Sequence, residues 1–194
     1  KNSGLYDAIA DALDRLGVDI VLAGQFDVSR YFDGRTAPPR NMVALGRVPD
    51  EALVSWMRGA LCFLFPSRVE GFGLPAVEAM VVGCPLVVSS SPCLPEVCGP
   101  AAIVVDPDDH EGWVEAVGRL LGSSAERARL SGEGHRLCAT YSWPRIAGHY
   151  LGLMRCISGL RPAADTPPGT CESPSGSGFG SGTGAGGARV ADMS

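Results

Sequence analysis

Two glutamates, two glycines and a proline lie close together at positions 70–78 of the segment 65–85, FPSRVEGFGLPAVEAMVVGCP. The apolar run 60–65 stops at Pro66-Ser67, and Pro75 suits the first turn of a helix, where its missing N–H costs nothing. Glu70-Gly71-Phe72-Gly73 therefore reads as the loop between a strand and a helix. Free N–H groups and the helix dipole at such a start favour an anion such as a diphosphate, and glycine lets the backbone approach it closely. Glu70 lies on the loop and Glu78 about one turn into the helix, so the two carboxylates flank the anion site at different depths. Carboxylates are poor phosphate ligands but accept charge-assisted hydrogen bonds from hydroxyl groups, which suits sugars on either side of a diphosphate. Paired acids also suggest glycoside hydrolysis, but their attachment to a phosphate-type loop argues against it.

The elements that must position this loop follow from periodicity. Leu5, Ile9, Leu13 and Leu16, with Ala8 and Ala12, predict a first helix stopped by Gly17. Residues 19–24, 42–45, 60–65, 85–89 and 101–105 read as five short apolar strands, with a polar loop over 25–40. Asp50 suits the N-cap of a helix ending at Arg58 or Gly59, and another helix covers 75–82. Asp108 with Glu111, and Ser123 with Glu126, fit capping-box starts for two more helices, and Ser142-Trp143-Pro144 opens the last. Short apolar strands alternating with helices predict an α/β fold, a parallel sheet covered on both faces that binds ligands beyond the carboxyl ends of its strands.

Composition narrows the function. The chain has 194 residues, a net charge of -5 and 45% hydrophobic residues. The acidic balance argues against a nucleic-acid partner, and no apolar run reaches the roughly 18 to 20 residues of a membrane span. A secretory signal is not recognisable, so the expected location is cytoplasmic. Lys1 in place of methionine, followed at once by a helix, suggests a chain cut from something longer. Seven cysteines without a CxxC pair read as buried small hydrophobes in a reducing compartment, although Cys93 and Cys98 would need partners for any disulfide or metal role. His110, His135 and His149 read as solvated. Asp106-Pro-Asp108 has the spacing of a metal-binding pair but sits between a strand and a capped helix, so it reads as a turn, and no metal is expected. Half of residues 174–187, PSGSGFGSGTGAGG, are glycine, too little apolar surface to offset the entropy of ordering. The expected organisation is a folded domain over 1–158 and a Gly/Ser/Pro-rich disordered tail over 159–194.

The string Glu70-Gly-Phe-Gly-Leu-Pro-x-x-Glu78-Ala-Met-x-x-Gly-x-Pro85 closely resembles the donor-binding signature of the GT-B glycosyltransferases, in particular glycosyltransferase family 4 (group 1). Agreement extends in order to Gly46-Arg47-Val48 with Leu53, Pro66-Ser67, Pro95-Glu96-Val97, Asp106-Pro107 and Ser142-Trp143, so it covers almost all of 1–158. The resemblance implies a Rossmann-like sheet with helices on both faces, the C-terminal half of a GT-B fold. It implies retaining, metal-independent transfer of a hexose from a UDP-, GDP- or ADP-linked nucleotide sugar, with no separate cofactor. By the same resemblance Glu70 is the catalytic carboxylate at the transferred sugar and Glu78 holds the ribose. Gly71, Phe72, Gly73 and Leu74 give backbone contacts to sugar and diphosphate, Arg47 and Val48 form the turn under the base, and Lys1 neutralises the diphosphate. Two family features are missing from this chain, a partner arginine on a preceding strand and the N-terminal domain that binds the acceptor. Acceptor recognition and any peripheral membrane contact are expected in that domain. The alternative is a nucleotide-sugar-binding module without transfer activity on its own.

Overall fold

A computed structural model describes residue 2 and residues 4–24, 38–158 and 188–193, the last six by their backbone. Lys1 and residues 159–187 of the expected tail lie outside the described residues. The elements are α1 (Gly4–Arg15), β1 (Val18–Ala23), β2 (Met42–Gly46), α2 (Asp50–Gly59), β3 (Cys62–Phe65), α3 (Leu74–Val81), β4 (Leu86–Ser89), α4 (Cys93–Cys98), a 3-10 turn (Gly99–Ala101), β5 (Ala102–Val105), α5 (His110–Gly122), α6 (Ser124–Cys138), α7 (Trp143–Ser158) and β6 (Ala188–Met193). The chain divides into two units, 1–139 with 187–194, and 140–186. The second contains α7, where Trp143, Ile146, Tyr150, Met154 and Ile157 recur at helical spacing.

The sheet has the order β2-β1-β6-β3-β4-β5, and every pairing in it is parallel. Strands β3 and β4 are buried at every residue, as expected where helices cover both faces. Strand β6 lies near the end of the segment expected as a tail and pairs with β1 from Val18↔Ala188 to Ala23↔Met193, and with β3 at Cys62↔Val190 and Phe63↔Ala191. The short segment ARVADM carries little strand signal of its own. What recruits it is the pair of flanking strands, whose inward backbone groups are buried and need partners.

One face of the sheet is covered by α1 and α5. Leu5, Ile9 and Leu13 join Trp113, Val117 and Leu120 over Ile20, Leu22, Cys62, Leu64 and Val87. The Trp113 indole N–H donates to the Asp106 carbonyl at 2.9 Å, which satisfies the one polar atom of this large buried ring. Leu16 and Ala8, expected on this face, are exposed, and Tyr6 and Ala10 are buried instead. Asn41, fully within the core, donates to the carbonyls of Ala10 and Val18 and so ties the α1–β1 turn to β2. On the other face α3 packs closely on α6, where a Cβ at Gly134 would stand 3.3 Å from the Met80 side chain.

Helix starts depart from expectation in three places. Asp50 is the first residue of α2, preceded by Pro49 with no side-chain cap. Asp109, not Asp108, caps α5, accepting from Gly112 N at 2.9 Å. Helix α3 begins at Leu74, because Gly73 before it adopts φ 90° and ψ 47°. Ser123 caps α6 as expected by accepting from Glu126 N, but the Glu126 carboxylate turns to Arg119 and Arg129. The proline-containing α4 was not expected as a helix at all. Cys62, Cys84 and Cys98 are free and buried, and burial pushes the Cys84 and Cys98 thiols up to about 12. No helix among the described residues is long and apolar enough to cross a membrane.

Two outcomes follow for stability. Deleting residues 188–194 leaves β1 and β3 facing each other unpaired and should lower stability by roughly 3 kcal/mol or more, about 6 to 12 °C in melting temperature. An unchanged melting curve would contradict the place of β6 in the sheet. At Gly73 a Cβ would stand 2.6 Å from Leu94 Cδ2, on a backbone with positive φ, whereas nothing lies within 4 Å of a Cβ at Gly71. Gly73→Ala should therefore destabilise by about 2 to 4 kcal/mol and Gly71→Ala by less than about 1, as measured by urea unfolding.

Candidate functional site

Because all strands run one way, their carboxyl ends share one edge of the sheet. That edge carries Gly24 after β1, Arg47-Val48 after β2, residues 66–73 after β3, Ser89 to Ser91 at the end of β4 and Asp106 to Asp109 after β5. Strand order proceeds outward in one direction from β1 to β2 and in the other from β3 through β5. The reversal falls at β6, and open parallel sheets form their ligand crevice at such a point.

The loop expected to meet an anion lies on this edge. Gly73 turns the chain into α3, and its carbonyl accepts from Ala76 N at 2.9 Å and Val77 N at 3.3 Å. The first N–H groups of any helix lack acceptors within it, so this start presents donors and the positive end of the dipole toward the loop. Sequence reasoning gave Gly71 and Gly73 the same role, and the structure separates them: packing against Leu94 demands glycine at 73, while Gly71 borders open space. Glu70 is half-buried on the loop. Its apolar neighbours are exposed, Val69 at 86%, Phe72 at 41% and Leu74 at 63%, more apolar surface than a solvated loop requires.

Glu78 stands on α3 and lines a cleft of about 280 Å³ together with Asp50, Leu53, Val54, Met57 and Val82. Those α2 residues begin directly after the turn containing exposed Arg47 and half-buried Val48. The fold therefore brings Glu78 and the helix that begins just after the β2 turn to the two walls of one cleft between α2 and α3, although 28 positions of sequence separate Asp50 from Glu78.

Two features of the edge were not anticipated. Arg68 Nη1 donates to Asp108 Oδ2 at 2.9 Å, its other arm also meets Asp108, and Arg68 Nε reaches Asn2 Oδ1 at 3.3 Å. Asn2, held at φ 57°, donates in turn to the Pro107 carbonyl at 2.8 Å. The entry to α1 and the loops after β3 and β5 are thus tied together. The Arg68 guanidinium, chiefly through its hydrogen bond, holds the Asp108 carboxyl below its usual range. Asp106 Oδ1 accepts from Asp108 N at 2.9 Å, which makes this segment the turn that the sequence suggested. Second, Ser89, Ser91 and Cys93 donate from the β4 end to carbonyls of the loop that carries Glu70. The run Ser89-Ser90-Ser91 at the end of a wholly buried strand was the available signal.

The model of the family described as glycosyl transferases group 1 matches residues 5–136. An MMP α-(1→4)-mannosyltransferase of Mycolicibacterium hassiacum is 42% identical over 108 residues, 54% of this chain and 26% of that protein. The O-antigen chain mannosyltransferase B of Escherichia coli is 39% identical over 99 residues, 51% of this chain and 26% of that protein. This chain therefore spans about a quarter of the length of these relatives. Among solved structures, a sucrose-phosphate synthase from Thermosynechococcus elongatus matches with TM-score 0.58 and 23% identity, over 83% of this chain and 52% of that one, a likeness of fold. With its Rossmann-like parallel sheet and a family match over residues 5–136, the chain belongs to the group 1 glycosyl transferases.

Proposed function

We propose that this chain is the donor-binding half of a retaining glycosyltransferase, of the family 4 type, and that the edge described above holds a nucleotide sugar. The observation that carries the reading is the placement of the Arg47-Val48 turn and the loop 70–74 on that edge, with Glu78 lining a cleft against the helix that the turn opens. The base lies at the Arg47-Val48 turn and the ribose hydroxyls bond to Glu78 across the α2–α3 cleft. The diphosphate sits at the start of α3, above the open face of Gly71, and Lys1 adds a positive charge to it. Glu70 accepts hydrogen bonds from the transferred sugar, a hexose; mannose is the sugar named in the two curated relatives.

In the transfer, the bond between the anomeric carbon and the diphosphate oxygen breaks, and a bond to an acceptor hydroxyl oxygen forms on the same face. The hydroxyl proton passes to the departing phosphate oxygen. Charge accumulates on the diphosphate as the bond lengthens, and preoriented helix N–H groups stabilise it without reorganising. No metal or other cofactor is required by this scheme. The acids spaced for a metal are otherwise engaged, Asp106 with a backbone N–H and Asp108 with Arg68. The exposed apolar flank of Val69, Phe72 and Leu74 suits a surface that an acceptor-binding domain covers during the reaction. Any membrane contact would belong to that domain, and a cytoplasmic location fits a reaction that uses soluble nucleotide sugars.

Calorimetric titration with UDP-glucose, GDP-mannose and ADP-glucose should find one nucleotide that binds. Glu78→Ala should weaken the matching free nucleoside diphosphate about tenfold or more, the value of a charge-assisted hydrogen bond to a ribose. Glu70→Ala should leave that diphosphate unaffected and weaken the nucleotide sugar. Unchanged diphosphate affinity in Glu78→Ala would remove Glu78 from the site. A second expectation concerns turnover: incubated alone with its donor, this chain should release negligible nucleoside diphosphate. Clear turnover in a coupled assay would show that the chain needs no separate acceptor domain.

A further inference from the structure

Polar side chains are scarce in the interior. Among the described residues the buried polar ones are Asn41, Ser67, Ser89 and Ser91, and three of these four surround one loop. Four successive carbonyls of that loop each accept a side-chain hydrogen. Ser67 O accepts from Ser89 Oγ, Arg68 O from Ser91 Oγ at 3.2 Å, Val69 O from Ser67 Oγ at 3.2 Å, and Glu70 O from Cys93 Sγ at 3.2 Å. Most hydrogen bonds to backbone carbonyls come from other backbone groups, so a consecutive row of four paired with side chains marks a segment whose shape is set from outside.

The arrangement follows from the sheet. Strands β3 and β4 pair in parallel up to Phe65↔Val88, so the residues after Ser89 run alongside the residues after Phe65. Donors at alternate positions 89 and 91 face the same neighbour, as side chains on extended backbone do, and Cys93, the first residue of α4, follows where Pro92 turns the chain into that helix. Ser89 Oγ also accepts from Ser91 N at 3.4 Å, which links the first two donors. The third donor stays protonated, since burial and the neighbouring Glu70 carboxylate push the Cys93 thiol up.

From this geometry we infer that Ser89, Ser91 and Cys93 are positioning residues that hold the Glu70 loop in the shape needed for the transferred sugar. The inference rests on the proposed reading of Glu70 as the carboxylate that bonds to that sugar. The row of donors ends at Glu70 itself, whereas Glu78 is held by the backbone of α3 and its packing on α6. Loosening the clamp therefore displaces Glu70 and leaves the nucleotide contacts in place. A displacement of about 1 Å in a positioned group is enough to degrade its contribution severely.

The test titrates the full 194-residue chain and its Cys93→Ala, Cys93→Ser and Ser91→Ala variants with free UDP, GDP and ADP and with UDP-glucose, GDP-mannose and ADP-glucose. Melting temperatures are recorded alongside. Cys93→Ala and Ser91→Ala should weaken the nucleotide sugar about fivefold, the value of one net hydrogen bond, with the matching free diphosphate changed less than about twofold. Cys93→Ser, which keeps a donor, should restore the wild-type preference. Equal losses for sugar and diphosphate, no loss for either, or a serine variant no better than alanine would each overturn the positioning role. If Ser91→Ala fails to fold, the half-buried Cys93 pair decides the matter alone. Wild-type chain that binds neither set would overturn the donor reading and this inference with it. Binding that responds to Glu78→Ala but not to the clamp variants would overturn the clamp only.

Discussion

Parallel pairing governs the rest of this molecule. A parallel strand must return to its starting end through a crossover, so every chain segment leaving a strand does so at the same edge. Residues as distant as Arg47, Glu70, Ser91 and Asp108 are thereby gathered along one line, with helices filling both faces beneath them. The same pairing buries β3 and β4 completely, which demands a backbone partner on each side of β3. Strand β6 meets that demand, and the reversal of strand order that makes a crevice falls at its position.

A site built on such an edge faces a conflict between openness and definition. A loop that receives a ligand cannot spend its outward N–H groups on neighbouring backbone, yet a loop without such bonds has no fixed shape. The residues after β3 resolve this by turning their carbonyls inward to hydroxyl and thiol donors from the β4 end. Gly73 ends the loop in a left-handed conformation packed against Leu94, which fixes where α3 begins. Arg68 ties the outer side of the same loop to Asp108 and Asn2, an exposed pair of modest energy whose bidentate geometry fixes orientation more than stability.

Much of this was legible in the chain. Apolar runs such as CFLF and the LVV of LVVS announced buried strands within two residues of their ends, because a strand covered on both faces tolerates three or four consecutive apolar side chains. The Glu70 to Pro85 string identified the loop, its helix and the family. Boundaries slipped where two caps competed: Asp109 displaced Asp108 because the Asp108 carboxylate is held by Arg68, a residue 40 positions away. Helix α4 carries little helical signal in its sequence because Pro92 and Pro95 are poor helix formers, although a proline is harmless in the first turn of a helix.

By itself the sequence determined the order of β1 to β5 and of every helix except α4, the parallel sheet they imply and the loop whose residue types suit chemistry, since these depend on local periodicity and on short-range patterns of glycine, proline and acid. Only the tertiary structure decided which glycine is indispensable, that Glu78 shares a cleft with α2, that ARVADM enters the sheet, and that Ser89, Ser91 and Cys93 bond to the Glu70 loop. Each of those rests on a contact between segments far apart in the chain. Which distant group arrives at a given backbone atom is fixed by how the strands align, a property of the assembled sheet that no local pattern encodes.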